Sequence, residues 1–250
     1  MLEFRNITRS FGERVVLDRV SFTINKGETF VIVGPSGTGK SVSLRSMVGL
    51  LTPDSGQIFL NGQDLTAMNP TQRSEMNSHF GVLFQSGALL AWLTVAQNVA
   101  LPLLERGVDE DEAEARTMEA LTMVKLDHAF NLKPSEISGG MQKRAGLARA
   151  IVTRPEVILY DEPTSGLDPV MSRHIDALIK ELQQRLGVTS VVVTHDLHSA
   201  FSIGDRIAML SEGHIIALGT PEEFCASDSD IVQGFIKAQF SAGYIRGIKI

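Results

Sequence analysis

The sequence predicts an α/β fold: a core with a mostly parallel sheet, an antiparallel β portion beside it, and an all-helical insertion within it. Three observations carry this expectation. The runs "ETFVIVG" (residues 28–34), "EVILYDE" (156–162) and "VTSVVVTHD" (188–196) are apolar without alternation, as strands buried on both faces of a parallel sheet must be. Alternation appears instead near the start, in "VVLDRVSFTI" after "LEFRNI", and fits half-buried antiparallel strands. Residues 86–153 contain no strand-like run and are helical in character throughout.

Each element follows from local signals. The strand at residues 28–34 ends in glycine and opens a helix over residues 40–50. "SGQIFLNG" lies between turn signals and reads as a strand, as does "FGVLFQ" at residues 80–85. In the insertion, "TVAQNVALPLLERG", "DEDEAEARTMEALTMVKL" and "SGGMQKRAGLARAI" predict three helices, and the acidic run at residues 109–112 suits a first turn, where carboxylates complement the helix dipole. A long helix begins at Pro169 behind the capping residue Asp168, with Ile175, Leu178, Ile179, Leu182 and Leu186 on one face. A strand, this helix and a further strand in succession predict a right-handed crossover and parallel pairing. "RIAMLSEGHIIALG" predicts a hairpin turning at Glu212 and Gly213. The expected organisation is one domain over residues 1–228, its core and β portion drawn from 1–85 and 154–228 and its helical part from 86–153, followed by a tail at 229–250.

Bulk properties narrow the function. With 250 residues, 43% hydrophobic and 21% charged, the chain has the composition of an ordinary globular protein. A net charge of -6 argues against holding nucleic acid by phosphate neutralisation, so no nucleic-acid partner is expected. The single cysteine, Cys225, fits a reducing compartment, and the first residues carry no signal-peptide pattern, which predicts a cytoplasmic protein. The longest apolar stretch, residues 88–104, is interrupted by Thr94, Gln97, Asn98 and Pro102 and falls short of the roughly 20 residues that span a bilayer.

The chemistry concentrates in a few motifs. "GPSGTGKS", made of Gly34, Pro35, Ser36, Gly37, Thr38, Gly39, Lys40 and Ser41, matches G-x-x-x-x-G-K-[ST] between a buried strand and a helix. Its glycines let successive backbone N–H groups curl around phosphate oxygens, Lys40 reaches the β and γ phosphates, and the Ser41 hydroxyl meets Mg²⁺. Asp161 and Glu162 end a second buried strand, at the ligand-binding edge of an open α/β sheet. Strand alternation points them in different directions, which assigns Asp161 to the metal and Glu162 to the base that polarises an attacking water. Two adjacent acids also fit a solvated turn before Pro163. His195 closes the third buried strand, where an imidazole can meet the γ-phosphate, and Gln85 closes "FGVLFQ", where an amide can reach Mg²⁺ or water; both also have plain structural readings. Ser138, Gly139 and Gly140 open a helix whose N–H groups and dipole suit an anion. Lys143, Arg144 and Arg149 on that helix read as a solvated face of mixed charge.

Phosphate loop, glutamine, SGG helix, acidic strand and terminal histidine, in this order, resemble the nucleotide-binding subunit of ATP-binding cassette transporters over residues 1 to about 225. The resemblance implies a P-loop NTPase (RecA-like) core, ATP and Mg²⁺ as ligands, and an ATPase coupled to transport. It implies a head-to-tail dimer in which Ser138, Gly139 and Gly140 complete the partner's ATP site, with "SGLD" ending at Asp168 communicating across the dimer. Phe11 matches the position that stacks on adenine, where a core phenylalanine is the alternative. The signature reads Ile137-Ser138-Gly139-Gly140-Met141-Gln142 rather than the commonest LSGGQ. With "LFQSGALL" at residues 83–90, it is similar to the branch that serves MCE-type lipid transporters, including the Mla phospholipid system. That branch implies a permease docking near Gln85 and the Trp92, Leu93 and Val95 stretch, an MCE-domain protein in the complex, a place on the cytoplasmic side of the inner membrane, and a tail that clasps the second nucleotide-binding subunit. For Trp92, core packing is the alternative. Importers of small polar solutes such as amino acids share every nucleotide motif. Soluble cassette ATPases of DNA repair or translation call for paired cassettes, a coiled coil or a basic surface, none of which these residues carry. A scaffold that binds ATP without hydrolysis is disfavoured because Lys40, Asp161, Glu162 and His195 are all present.

Overall fold

The computed structural model describes residues 1–240 in full, and the backbone of 244–245 and 248–249. From the first residue the elements are β1 (Leu2–Phe11), β2 (Arg14–Ile24), β3 (Thr29–Val33), α1 (Lys40–Met47), β4 (Ser55–Leu60), β5 (Gln63–Asp64), α2 (Pro70–Asn77) and β6 (Phe80–Leu83). Three helices follow with no strand between them: α3 (Val95–Leu104), α4 (Glu110–Met123) and α5 (Gly139–Ile151). Then come β7 (Val157–Asp161), α6 (Pro169–Leu186), β8 (Thr189–Thr194), α7 (Leu197–Ile203), β9 (Arg206–Ser211) and β10 (His214–Gly219). Helices α8 (Pro221–Cys225) and α9 (Asp230–Gln239) precede β11 (Tyr244–Ile245), which pairs antiparallel with β12 (Ile248–Lys249). The chain forms two compact units, Met1–Asn77 with Thr189–Ile250, and Ser78–Val188.

In the first unit β2, β1, β4 and β5 form an antiparallel sheet in that order. A second group runs β10, β9, β3, β8, with β3 parallel to both β8 and β9. Every residue of β3 and β8 is buried, as their unbroken apolar sequences require. Phe4, Phe22 and Phe30 stack in succession at centroid distances of 4.5 and 5.3 Å and bind the two sheets together. The hairpin of β9 and β10 turns at Glu212 and Gly213, with φ of 48° and 81°, the paired left-handed conformations of a tight two-residue turn.

Helix α2 has no counterpart in the sequence reading, because none of its residues is buried and it carries no apolar period. Arg73 fastens it instead, donating to the carbonyl oxygens of Leu65, Ser46 (3.0 Å) and Met47 (3.3 Å). Arg73→Met removes a charged donor from each of these carbonyls, although that of Ser46 keeps the Gly49 N–H. It should lower stability by about 1–3 kcal/mol, read as a fall of several degrees in melting temperature.

One face of α9 and the residue after it pack on their own unit. Val232 and Ile236 of α9 are buried, and the Phe240 ring lies 4.1 Å from that of His198 and 5.9 Å from that of Phe201. The Gln239 amide accepts from the Leu197 N–H and donates to the His195 carbonyl oxygen, each at 2.9 Å. Among the described residues of the tail, Val232, Ile236 and Phe240 are thus accounted for, and Ile231 stays 53% exposed. The Tyr244 and Ile248 side chains lie outside the described residues.

In the second unit β6 pairs parallel with β7, and α5 packs on β6 beside α3 and α4. Gly146 permits that approach: a Cβ there would sit 2.6 Å from Leu83 Cδ1. Thr94 and Gln97 form a reciprocal cap on α3, and buried Asn98 ties the preceding turn by bonding Leu90, Leu93 and Thr94 backbone groups. The acidic run occupies the first turn of α4 behind the cap Asp109. Asp168 caps α6 through Val170 and Met171 N–H groups, and Ile175, Leu178, Ile179 and Leu182 are buried. Among the described residues no helix is long and apolar enough to cross a membrane.

Candidate functional site

Strand β3 delivers the glycine-rich loop. Gly34 follows it with φ 151°, and a Cβ there would collide with the Leu210 carbonyl oxygen. Gly39 caps α1 at φ 105°, in a space where a Cβ would meet Leu17 Cδ2 and the Val16 carbonyl oxygen at 2.9 Å. Both positions require glycine for conformation and for room. Thr38 Oγ1 donates to the Pro35 carbonyl oxygen at 3.0 Å, and Arg14 donates to that of Gly37 at 3.0 Å, which holds the loop's shape. Lys40 Nζ is turned back into the loop, donating to the carbonyl oxygens of Gly34 (2.8 Å) and Pro35 (3.0 Å). Gly39 supplies no side-chain cap to α1, whose first turn holds no acid and includes Ser41. A phosphate fits this cradle of backbone N–H groups, a buried ammonium and a hydroxyl.

His195 leaves the neighbouring strand at the same level. Val33 pairs with Thr194 in the parallel register of β3 and β8, so Gly34 and His195 are the next residues out along the same edge. His195 is exposed, and the turn it begins is held by Gln239 at its carbonyl and by Asp196, which caps α7. Phe11 ends β1 with 47% of its surface exposed and the Arg9 guanidinium 4.9 Å over its ring. It is not a core residue.

The second unit repeats this arrangement. Leu83 pairs with Tyr160 in the parallel register of β6 and β7, which places Gln85 and Glu162 level with one another just beyond the strand ends. Asp161 is the last residue of β7 and is buried; Glu162 is 9% exposed and takes φ 48°. The two carboxylates are therefore separated by a left-handed turn and not by strand alternation, which corrects the geometric reason given for their divergence. Gln85 Nε2 donates to Ser165 Oγ at 3.3 Å, leaving the amide oxygen for another partner. Ser138 caps α5, accepting from the Met141 N–H at 3.4 Å, and its own hydroxyl proton remains to donate. Ser138 and Gly139 are exposed and Gly140 is buried, where a Cβ would come 2.5 Å from Met171 Cε. The displaced Gln142 donates to the Pro134 carbonyl oxygen at 2.9 Å and so ties down the approach to the helix.

The basic residues of α5 depart from the sequence reading. Lys143 and Arg149 are not on a solvated face. Lys143 donates to the carbonyl oxygens of Gln85 and Glu162, and Arg149 donates to those of Ala88 (2.7 Å) and Gly87 (2.8 Å). Burial pushes the pKa of both below the ordinary range, opposed at Lys143 by the charges of Asp161 and Glu162. The signal was present in the spacing: Lys143, Gly146 and Arg149 fall at intervals of three, and the glycine marks the face that packs closely. Trp92 is 70% exposed, so it is not packed in the core, whereas Val95 is buried.

The profile of the ABC transporter family matches residues 17–165. The chain belongs to that family. It is 41% identical over 240 residues, covering 95% of this chain and 67% of the relative, to the probable ribonucleotide transport ATP-binding protein mkl of Mycobacterium tuberculosis. It is 40% identical over 245 residues to the spermidine/putrescine import ATP-binding protein PotA of Pseudomonas aeruginosa, covering 98% of this chain and 64% of that protein. Among solved structures, the dimeric ATP-binding cassette MJ0796, in a post-hydrolysis state with ADP and Pi, superposes with a TM-score of 0.80 at 33% identity, covering 88% of this chain and 98% of that one. The α/β architecture is that of an ABC ATPase cassette. As an ABC ATPase the chain hydrolyses ATP with Mg²⁺, coupled to transport. The Ser41 hydroxyl, Gln85 amide oxygen and Asp161 carboxylate are hard oxygen donors of the kind Mg²⁺ prefers.

Proposed function

We propose that this ABC ATPase works as a head-to-tail dimer on the cytoplasmic side of the inner membrane, energising intermembrane phospholipid transport through a permease and an MCE-domain protein. The observation that carries the nucleotide part is the phosphate cradle on β3 standing in register with His195 on β8. Lys40 turns its ammonium to the β and γ phosphates, and the loop from Gly34 to Ser41, including Pro35, Ser36, Gly37, Thr38 and Gly39, wraps them with N–H donors. Ser41, Gln85 and Asp161 would hold Mg²⁺, which would neutralise charge on the phosphate oxygens. Glu162 accepts a proton from the attacking water at a carboxylate oxygen, and His195 orients that water at the γ-phosphate. Ser138, Gly139 and Gly140 close the partner's site by donation from a helix start, Asp168 lies in the loop that crosses the dimer, and Phe11 covers adenine. Residues 1–228 act as one ATPase domain, with residues 86–153 as its helical part.

The cargo assignment rests on the pairing of "SGGMQ" with "LFQSGALL", and the exposure of Trp92 supports a permease contact close by. A second reading, import of a small solute, is favoured by the names of mkl and PotA. Purification from native membranes in mild detergent, with mass spectrometry of the accompanying proteins and lipids, separates them. Recovery of a permease with an MCE-domain protein and enriched phospholipid supports the first reading; a solute permease without lipid enrichment replaces it with the second.

The tail at 229–250 clasps the second nucleotide-binding subunit through the exposed side of α9. Truncation is a poor test, since it also removes Gln239 from the His195 turn. Ile231→Asp is a better one: it should weaken ATP-dependent dimerisation in light scattering while leaving the melting temperature of the monomer unchanged. Undiminished dimerisation would remove the clasp.

A further inference from the structure

Lys143 has no part in the reading above, yet it is the buried cation nearest to that chemistry in the second unit. It is 6% exposed, and a buried ammonium is costly unless its donors are well used. A methionine would fill the same space at no such cost. The ammonium is spent on two backbone carbonyls far apart in sequence: that of Gln85, beyond β6, and that of Glu162, at 3.3 Å, beyond β7.

We propose that Lys143 is a positioning residue for hydrolysis, setting the Glu162 carboxylate by anchoring the Glu162 backbone turn to the Gln85 loop and the SGG helix. Glu162 holds φ 48°, a left-handed conformation that is strained for a non-glycine residue and persists only when its surroundings enforce it. Its carbonyl oxygen is gripped from two directions, by Lys143 Nζ at 3.3 Å and by the Ser165 N–H at 3.1 Å. The Gln85 side chain then reaches Ser165 Oγ at 3.3 Å, which closes a ring of Lys143, Gln85, Ser165 and Glu162. Within this ring the direction of the Glu162 side chain follows from the backbone, and Lys143 is the side-chain donor to that backbone turn, beside the Ser165 N–H. A shift of the Gln85 segment reaches Glu162 through the same side chain.

The inference rests on Glu162 serving as the base, and its test keeps the two apart. Lys143→Met, made in the full chain, should lower kcat by about tenfold to a hundredfold, the scale on which small misplacements act, with KM and Kd for ATP within about twofold of wild type. Lys143→Arg, which keeps charged donors, should recover part of the loss. In nucleotide-free protein, Lys143→Met should speed hydrogen exchange at the Ser165 N–H. On a Glu162→Gln background the Met substitution should cost nothing further, because both act through one group. If Lys143→Met is unfolded at assay temperature, Lys143→Gln takes its place. An unchanged kcat overturns the proposal, as does a fall shared equally by kcat, KM and Kd without recovery by Arg. If Glu162→Gln alone turns over at the wild-type rate, it is the base assignment that fails.

Discussion

Glu162→Gln protein will bind ATP as tightly as wild type and hydrolyse it about a hundredfold to ten-thousandfold more slowly, the usual contribution of a general base. The amide matches the carboxylate in size and keeps its hydrogen-bonding reach, but it cannot accept the water's proton. The fold should survive, because the position is already held in a left-handed turn that treats Glu and Gln alike and is supported from Lys143 and Ser165. Phosphate release in a single turnover measures the chemistry, and calorimetric titration with ATP measures binding apart from it. A dimer that closes on ATP and reopens on hydrolysis should accumulate in this variant, visible as an ATP-dependent shift in size-exclusion chromatography. Turnover at the wild-type rate would exclude Glu162 as the base.

Lys40→Ala should fail one step earlier. The ammonium is the only side-chain charge delivered by the loop itself, and hydrogen bonds to charged groups contribute about 1.5–3 kcal/mol each. Losing it should raise the Kd for ATP by about tenfold to a hundredfold. Nucleotide binding to the folded state stabilises by mass action, so the rise in melting temperature that ATP gives wild type should nearly vanish in the variant. The variant should also melt somewhat lower without nucleotide, since the Gly34 carbonyl oxygen loses the Lys40 donor and that of Pro35 keeps only Thr38 Oγ1 of its two side-chain donors. An unaltered Kd would detach Lys40 from the phosphates.

These two residues were legible from sequence for different reasons and to different depths. The loop from Gly34 to Ser41 is a local pattern: glycines at strained angles, a lysine and a hydroxyl at the head of a helix. Sequence neighbours suffice to recognise it, as they do the Asp168 cap and the turn at Glu212 and Gly213, although Arg14, Leu17 and Leu210 complete its surroundings in the fold. Glu162 was located by the same logic, but its direction was attributed to strand alternation. The strand stops one residue earlier, and the turn is imposed by groups distant in sequence. Lys143 and Arg149 were misread for that reason: their value lies in carbonyls of the loop after β6, and charge pattern along a helix does not register a partner elsewhere. Helix α2 went unseen because one guanidinium, and not an apolar face, secures it. Trp92 and Phe11 show the converse, large apolar side chains whose exposure only the packed structure reveals.

The chain contains one tryptophan, and it stands in water, seven residues past Gln85. The protein therefore carries its own optical probe at the surface where a permease is expected to dock. Excited at the red edge, where its two tyrosines do not absorb, the chain should emit from this one indole, with the maximum expected of a solvated ring. Docking that covers Trp92 would move this emission to shorter wavelength and shield it from iodide. Association could then be followed in real time on unlabelled protein, provided the permease has no tryptophan of its own or is measured by difference.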